Sequence, residues 1–436
     1  MLRSTLLAAA LAPAFVLGAG AANAQTEIAW WHAMGGRLGE VVNEIATRFN
    51  ASQSDYKITP IFKGNYEETL TATIAAFRAG EQPNIVQVFD AGSATIIGAQ
   101  GAVLPAEDLL KTNGVAFDAN DYIEGVRYFY ADSAGKMVGM PFNSSTPVMY
   151  YNTEALEKAG VQPPKTWEEF EEIAPKLKDA GYVPLAQSHT PWIFVENFFS
   201  RHNLQFATNN NGYDGAEGTK LLLSQTPELK RHFEKLKAWK DEGLYAYYGA
   251  GWSDNQAPFE NGDVAMWLGS SGSFGGLSQS MKAPFQATYL PYWGDVEGAG
   301  GTTFIGGAAL FALAGHPAEE NQASAAFFEY LTSPEIQFYW HKETGYVPIT
   351  TAAYDLAKSE GYYDEAPSAE TGILQLSLPG GEWTKGYRMG FYVQIRDVMN
   401  REFGKVFAGE TTVDEALKTI DEEGDRLLER FAKTSG

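Results

Sequence analysis

The chain has no cysteine, so a disulfide framework, a thiolate metal site and a cysteine nucleophile are all closed to it. It is also short of positive charge: Lys and Arg number 32 against 54 Asp and Glu, a formal net charge of -22. Nucleic-acid binding needs a basic face against phosphate and is not expected. Self-repulsion of that size favours a soluble monomer. Beyond residue 24 no run reaches the ~20 apolar residues that cross a bilayer. Histidines are few, and the six (His32, His189, His202, His232, His316 and His341) include no H-E-x-x-H or paired zinc spacing.

Catalytic motifs are missing as well. Gly269-Ser270-Ser271-Gly272-Ser273 departs from the register of a G-x-S-x-G nucleophile elbow. Gly298 to Thr303 ends in Thr where a dinucleotide fingerprint needs Gly. The Gly-Lys pairs at Gly135 and Gly404 run into Met137 and Val406, not the Ser or Thr of a P-loop. Asp421, Glu422 and Glu423 read as a solvated helix face. No enzyme activity, cofactor or metal is expected.

What is present begins with an export signal. Residues 1–24 carry Arg3, an apolar stretch from Leu6 to Leu17, and Ala22-Asn23-Ala24 as a small-x-small cleavage site. The whole sequence is 44% hydrophobic and 13% aromatic, and at 436 residues it exceeds what one core organises. Two lobes are expected. Ile28 to Trp31, Tyr56 to Phe62 and Ile85 to Phe89 read as strands, separated by helical periodicity through Leu38, Val41, Val42, Ile45 and Phe49 and through Leu70, Ile74 and Phe77, with Gly80 as the stop. This alternation predicts an α/β lobe with a largely parallel sheet. Such sheets bind ligands beyond the carboxyl ends of their strands, which singles out Asp90, as ligand contact or as turn cap.

Pro141 to Asn152 reads as a polar strand running directly into an apolar one, with Asn143, Ser144, Ser145 and Thr146 between two prolines. A stiff, hydroxyl-rich bridge between lobes suits a binding cleft. Thr166-Trp167-Glu168-Glu169 forms a capping box that puts Trp167 first in its helix, facing either a cleft or a core. Further helices are predicted near Leu229 to Trp239, over Ala318 to Leu331 and from Thr412 to Phe431, and a strand over Phe304 to Leu313. Glu360 to Thr371 reads as a solvent loop.

Several runs together resemble one family. Phe62-Lys63-Gly64-Asn65-Tyr66, Pro141-Phe142-Asn143-Ser144-Ser145-Thr146-Pro147, Pro164-Lys165-Thr166-Trp167, Asn261-Gly262-Asp263, Ser270-Ser271-Gly272-Ser273, Ile305-Gly306-Gly307, Thr344-Gly345-Tyr346 and Val393-Gln394-Ile395-Arg396 are similar, in order, to the sn-glycerol-3-phosphate-binding branch of the periplasmic solute-binding proteins, extracellular family 1, that feed ATP-binding-cassette importers. The Pro-Lys-Thr-Trp run is common among carbohydrate-binding relatives; the second and last runs are more specific.

The resemblance implies a maltose-binding-protein-like α/β fold of two lobes with three interlobe crossings, near residues 143–147, near 292–303 and near Tyr346. The lobes would comprise residues 25–143 plus 300–345 and residues 144–299 plus 346–436. It implies a periplasmic protein that captures a phosphoglycerol, either sn-glycerol 3-phosphate or a glycerophosphodiester such as glycerophosphocholine, and delivers it to permease subunits and through them an ATPase. Tyr66, Ser145, Ser270, the Gly307 amide, Tyr346 and Arg396 would hold the phosphate, and Asp90 and Trp167 the glycerol. The family has Glu where this chain has Asp90, and a basic residue it carries is absent from Gly372 to Pro379. An oligosaccharide binder of a related importer is the alternative, since an aromatic face with a carboxylate also suits sugars.

Overall fold

The computed structural model describes residues 25–99 and 101–434; the expected export signal, residues 1–24, lies outside them. Among the described residues, eleven strands form two sheets: β1 (Thr26–His32), β2 (Tyr56–Phe62), β3 (Ile85–Phe89), β4 (Val103–Leu104), β5 (Met140–Ser145), β6 (Pro147–Asn152), β7 (Val183–Gln187), β8 (Tyr245–Ala246), β9 (Val264–Ser270), β10 (Phe285–Thr288) and β11 (Gly306–Leu313). The first sheet runs β2-β1-β3-β11-β4, with β5 also pairing with β11. The second runs β10-β6-β9-β7-β8. β1 lies parallel to β2 and β3, as the strand-helix alternation requires, while β11 joins antiparallel to β3, β4 and β5.

Three crossings connect the halves. β5 in the first sheet passes through Thr146 into β6 in the second, and β10 returns through residues 289–305 to β11. The third follows the helix Pro334–Thr344: Val347 donates to the Ser144 carbonyl, and the helix Pro367–Leu376 packs on β6 and β10. A two-lobed α/β architecture with three interlobe crossings results.

β5 shows why the bridge is rigid. All six of its residues are buried, polar ones included. Gln87 donates to Asn143 Oδ1 at 2.8 Å, and Thr146 shares a 2.6 Å hydroxyl bond with Thr303 of the second crossing. Buried polar groups bonded in this way add specificity without the penalty of orphaned donors. The apolar cores supply the driving force. Trp30, Ile45, Val86 and Phe311 pack in the first lobe and Phe170, Phe233, Leu236 and Trp267 in the second, each worth about 1.5–3 kcal/mol when fully buried.

Two local readings change. Residues 360–371 are not a solvent loop: short helices Tyr362–Glu365 and Pro367–Leu376 bury Tyr362 and Tyr363 with Ala357 and Ala369 in a small satellite core. Asp421 is buried on the last helix, where its carboxylate accepts from the amides of Leu223 and Ser224. Asp421 depends on partners some 200 positions away and the satellite core partly on Phe274 and Phe338, which local polarity does not register.

Candidate functional site

Each side chain at the lobe junction is set by a local device. Asn65 caps the helix Tyr66–Ala79 in a reciprocal capping box with Glu68, which places Tyr66 on its first turn. There the Tyr66 ring stacks on Phe89 at 5.1 Å, and its hydroxyl accepts from Asn143 Nδ2 at 2.8 Å. Asp90 opens the helix Asp90–Ile97 directly after β3, where the exposed amides of a helix start favour a carboxylate. Gly307 has φ +88, a conformation that favours glycine; a Cβ there would run into the Asn143 carbonyl oxygen. Ser145 pairs in register with Gly306, and Ser270 with Pro147, so both serines sit where the two sheets meet. Ser270 Oγ accepts from the Gly272 amide, and the Tyr346 ring lies over Gly272.

Arg396 comes from the helix Tyr392–Ala408, which packs on the last helix and touches the helix that Asp90 opens. Its guanidinium is held from both sides. Asp90 accepts from Nη1 at 3.1 Å and from Nη2 at 2.7 Å; Glu196 accepts from Nε at 2.7 Å and from Nη2 at 2.6 Å. Nη2 also reaches the Tyr387 hydroxyl at 3.3 Å. Each pair is bidentate and charge-assisted, the stronger class of hydrogen bond a guanidinium makes. Burial alone would lower the Arg396 pKa, but Asp90 and Glu196 hold it well above the ordinary value. Burial raises the Glu196 pKa against the pull of Arg396. His189 is also within reach of that charge: burial, then Arg396, lower its pKa to about 3, so it stays neutral.

The structure therefore brings Tyr66, Asp90, Ser145, Ser270, Gly307, Tyr346 and Arg396 to one junction. The Tyr66 and Tyr346 hydroxyls lie near each other beside Asn143, and burial raises the pKa of both. Trp167 is placed differently. It is 3% exposed in the aromatic core of the second lobe, with its ring against Phe170, Phe194, His232 and Trp239. Trp167→Phe is accordingly expected to cost about 1–2 kcal/mol of stability through lost packing. Ligand affinity should stay within twofold, and a tenfold loss by calorimetry at an unchanged melting temperature would return Trp167 to the cleft.

Sequence reasoning missed three residues here. Glu196 closes the π-helical turn Pro191–Glu196 after the apolar run Ile193-Phe194-Val195, where nothing marks it as an ion-pair partner. Trp192, in the same turn, lays its indole against Gly306, and Tyr130 is fully buried within the field of Asp90 and Tyr346. The Trp192 Nε1, the Tyr130 hydroxyl and the Ser144 hydroxyl have no hydrogen-bond partner among the described residues. Buried donors of this kind are costly to leave unmade, so these three are candidate partners for a ligand. A separate groove of about 610 Å³ lies between the lobes, walled by Tyr122, Thr303, Phe304, Ile373 and Thr384. Phe304 meets Tyr387 edge-on, so one aromatic layer separates that groove from Arg396. The charge lies at Arg396 and Asp90, with Tyr130 in the field of Asp90 and Trp192 against Gly306, which makes this junction the candidate site.

Two α/β lobes, three crossings and a charged polar junction define a binding protein that holds a small solute between its halves. The chain belongs to the bacterial extracellular solute-binding protein family, whose model matches residues 44–371. It is 41% identical over 440 residues to the sn-glycerol-3-phosphate-binding periplasmic protein UgpB of Salmonella typhimurium, covering 100% of this chain and 99% of that one. To the protein of the same name from Escherichia coli K12 it is 41% identical over 422 residues, 95% of each chain. In fold it is similar to UgpB from Mycobacterium tuberculosis in complex with glycerophosphocholine, with a TM-score of 0.77 at 22% identity over 93% of this chain and 99% of that one. Maltose-bound MalE3 of T. maritima gives 0.74 at 20% identity, covering 91% and 98%.

Proposed function

We propose that this chain is the periplasmic solute-binding component of an ATP-binding-cassette importer, and that it captures a phosphoglycerol: sn-glycerol 3-phosphate, a glycerophosphodiester such as glycerophosphocholine, or both. The observation that carries this reading is the largely buried Arg396 guanidinium at the lobe junction, bonded to Asp90, Glu196 and the Tyr387 hydroxyl, with the hydroxyls of Tyr66, Tyr346, Ser145 and Ser270 on the elements that meet there. A phosphate ester offers several acceptor oxygens, and these donors meet them without adding further charge. The Gly307 backbone allows close approach, and Asp90 can accept from glycerol hydroxyls. Similarity to the curated relatives over the full chain length supports the same ligand class.

Capture proceeds by hinged closure of the lobes, in which no bond is made or broken; the chain acts as a monomer without cofactor or metal. The closed shape is what the permease subunits read, and through them the ATPase. The site requires no unusual binding energy: a micromolar dissociation constant is about -8 kcal/mol. Spread over roughly ten ligand heavy atoms, this stays below the approximate limit of -1.5 kcal/mol per atom for very small ligands.

A thermal-shift panel tests the ligand class. sn-Glycerol 3-phosphate and glycerophosphocholine, at a hundred times their dissociation constants, should each stabilise the protein by about 2.7 kcal/mol. Glycerol and maltose should leave its melting temperature unchanged. Stabilisation by maltose with no response to either phosphoglycerol would make the protein an oligosaccharide binder instead.

A further inference from the structure

The charge balance at the junction separates the two phosphoglycerol classes. Arg396 is the only cation that bonds to Asp90 or Glu196 among the described residues, and it faces both carboxylates. One guanidinium against two carboxylates leaves the cluster net negative. A guanidinium has five N–H donors, and four of them are already engaged: Nε and one Nη2 hydrogen with Glu196, the other Nη2 hydrogen and one Nη1 hydrogen with Asp90.

The two carboxylates are not equivalent. Asp90 stands at the end of β3, in the opposite lobe from the turn that carries Glu196, so lobe movement can withdraw it from Arg396. The Glu196 side chain is fully buried on a turn that follows β7 of the second sheet, and Arg396's helix, although it also touches the one Asp90 opens, is tied to that lobe through the last helix and the helix Pro227–Asp241. An incoming phosphate thus replaces Asp90 on a cation that Glu196 has already neutralised, with the displaced Asp90 carboxylate nearby. The other groups facing this cluster supply no compensating charge. Tyr66, Tyr130, Tyr346, Tyr387 and Tyr392 are held neutral by burial, and so is His189.

We propose that Glu196 acts with Asp90 as a charge filter, so that the cleft accepts the phosphoglycerol as a phosphate monoanion and disfavours the dianion. The preferred ligands are then glycerophosphodiesters, whose phosphate carries a single negative charge, ahead of the phosphomonoester in its doubly ionised form. This inference rests on the phosphoglycerol reading above.

Isothermal titration calorimetry at pH 7.5 and pH 5.5 tests it with three ligands: sn-glycerol 3-phosphate, glycerophosphocholine and glycerophosphoglycerol. The last is a diester without a cationic group, so it separates phosphate charge from any attraction for choline. At pH 7.5 both diesters should bind at least tenfold more tightly than the monoester. A phosphate monoester takes up its second proton near pH ~6. Acidification should therefore tighten the monoester about tenfold relative to the diesters. Protonation of Glu196 itself would act on all three ligands, and the diesters correct for it. Glu196→Gln, of the same shape, should narrow the gap at pH 7.5 at least fivefold by improving the monoester. A wild-type protein that binds the monoester as tightly as the diesters, with the same ratio at both pH values, overturns the filter. So does a ratio unchanged in Glu196→Gln. Binding of none of the three defeats the phosphoglycerol reading itself, a result distinct from equal binding of all three.

Discussion

Arg396→Ala is expected to weaken phosphoglycerol binding about 100-fold or more while also lowering the stability of the unliganded protein. The binding loss follows from removing two charge-assisted hydrogen bonds to phosphate, each worth about 1.5–3 kcal/mol. At about 1.4 kcal/mol per tenfold, even the lower sum reaches two decades. The stability loss has a different origin. Asp90 and Glu196 have side chains 5% and 0% exposed, and both would be left without their cation. Breaking a buried pair by removing one partner costs about 3–5 kcal/mol because an uncompensated charge stays in the interior. The two effects separate in one further variant: Asp90→Asn and Glu196→Gln combined with Arg396→Ala should recover most of the melting temperature and none of the affinity. Undiminished affinity of Arg396→Ala by calorimetry would remove this residue from the site.

Gly307→Ala should destabilise the protein by about 3 kcal/mol or more and abolish binding through the backbone. At φ +88 an L side chain is strained, which costs roughly 1–2 kcal/mol in a left-handed conformation. The added methyl also meets the Asn143 carbonyl oxygen on the neighbouring strand, so β5 and β11 must part where Gly307 pairs with Ser144. Asn143 cannot yield cheaply, because its amide accepts from Gln87 and donates to Tyr66. The strain therefore reaches the tyrosine pair at the ligand site. Gly306→Ala is the informative control. It has no positive φ, and its methyl would meet the Trp192 ring, so its damage should fall on the cleft while the sheet holds. A Gly307→Ala protein with the parental melting temperature would sink this account.

Most secondary elements were legible because their causes are local. The capping box at Thr166, the left-handed stop at Gly80 and the cap at Thr412 each need only a few neighbouring residues. The polar-to-apolar run from Pro141 to Asn152 likewise announced a strand pair, and it became the first crossing. The site was legible only in part. Asp90 and Arg396 stood out as a strand-end carboxylate and a cation in a distinctive run. Trp167 has the same local signature as a cleft residue, a capping-box aromatic, and only the aromatic packing around it distinguishes the two outcomes. Glu196, at the end of an apolar turn, carried no signal at all.

The sequence by itself determined the export signal as an expectation, the two-lobed α/β class, the closed routes of cysteine chemistry, and the stock of hydroxyls and charges at the bridge. These follow from composition and short-range periodicity, which any stretch of chain displays without its partners. Tertiary structure decided how the charges are paired. Arg396 and Asp90 lie 306 positions apart, and Arg396 and Glu196 lie 200 apart. Their meeting depends on how the lobes close and which groups lose water together. Coulombic energy depends on distance and burial, and a linear sequence specifies neither.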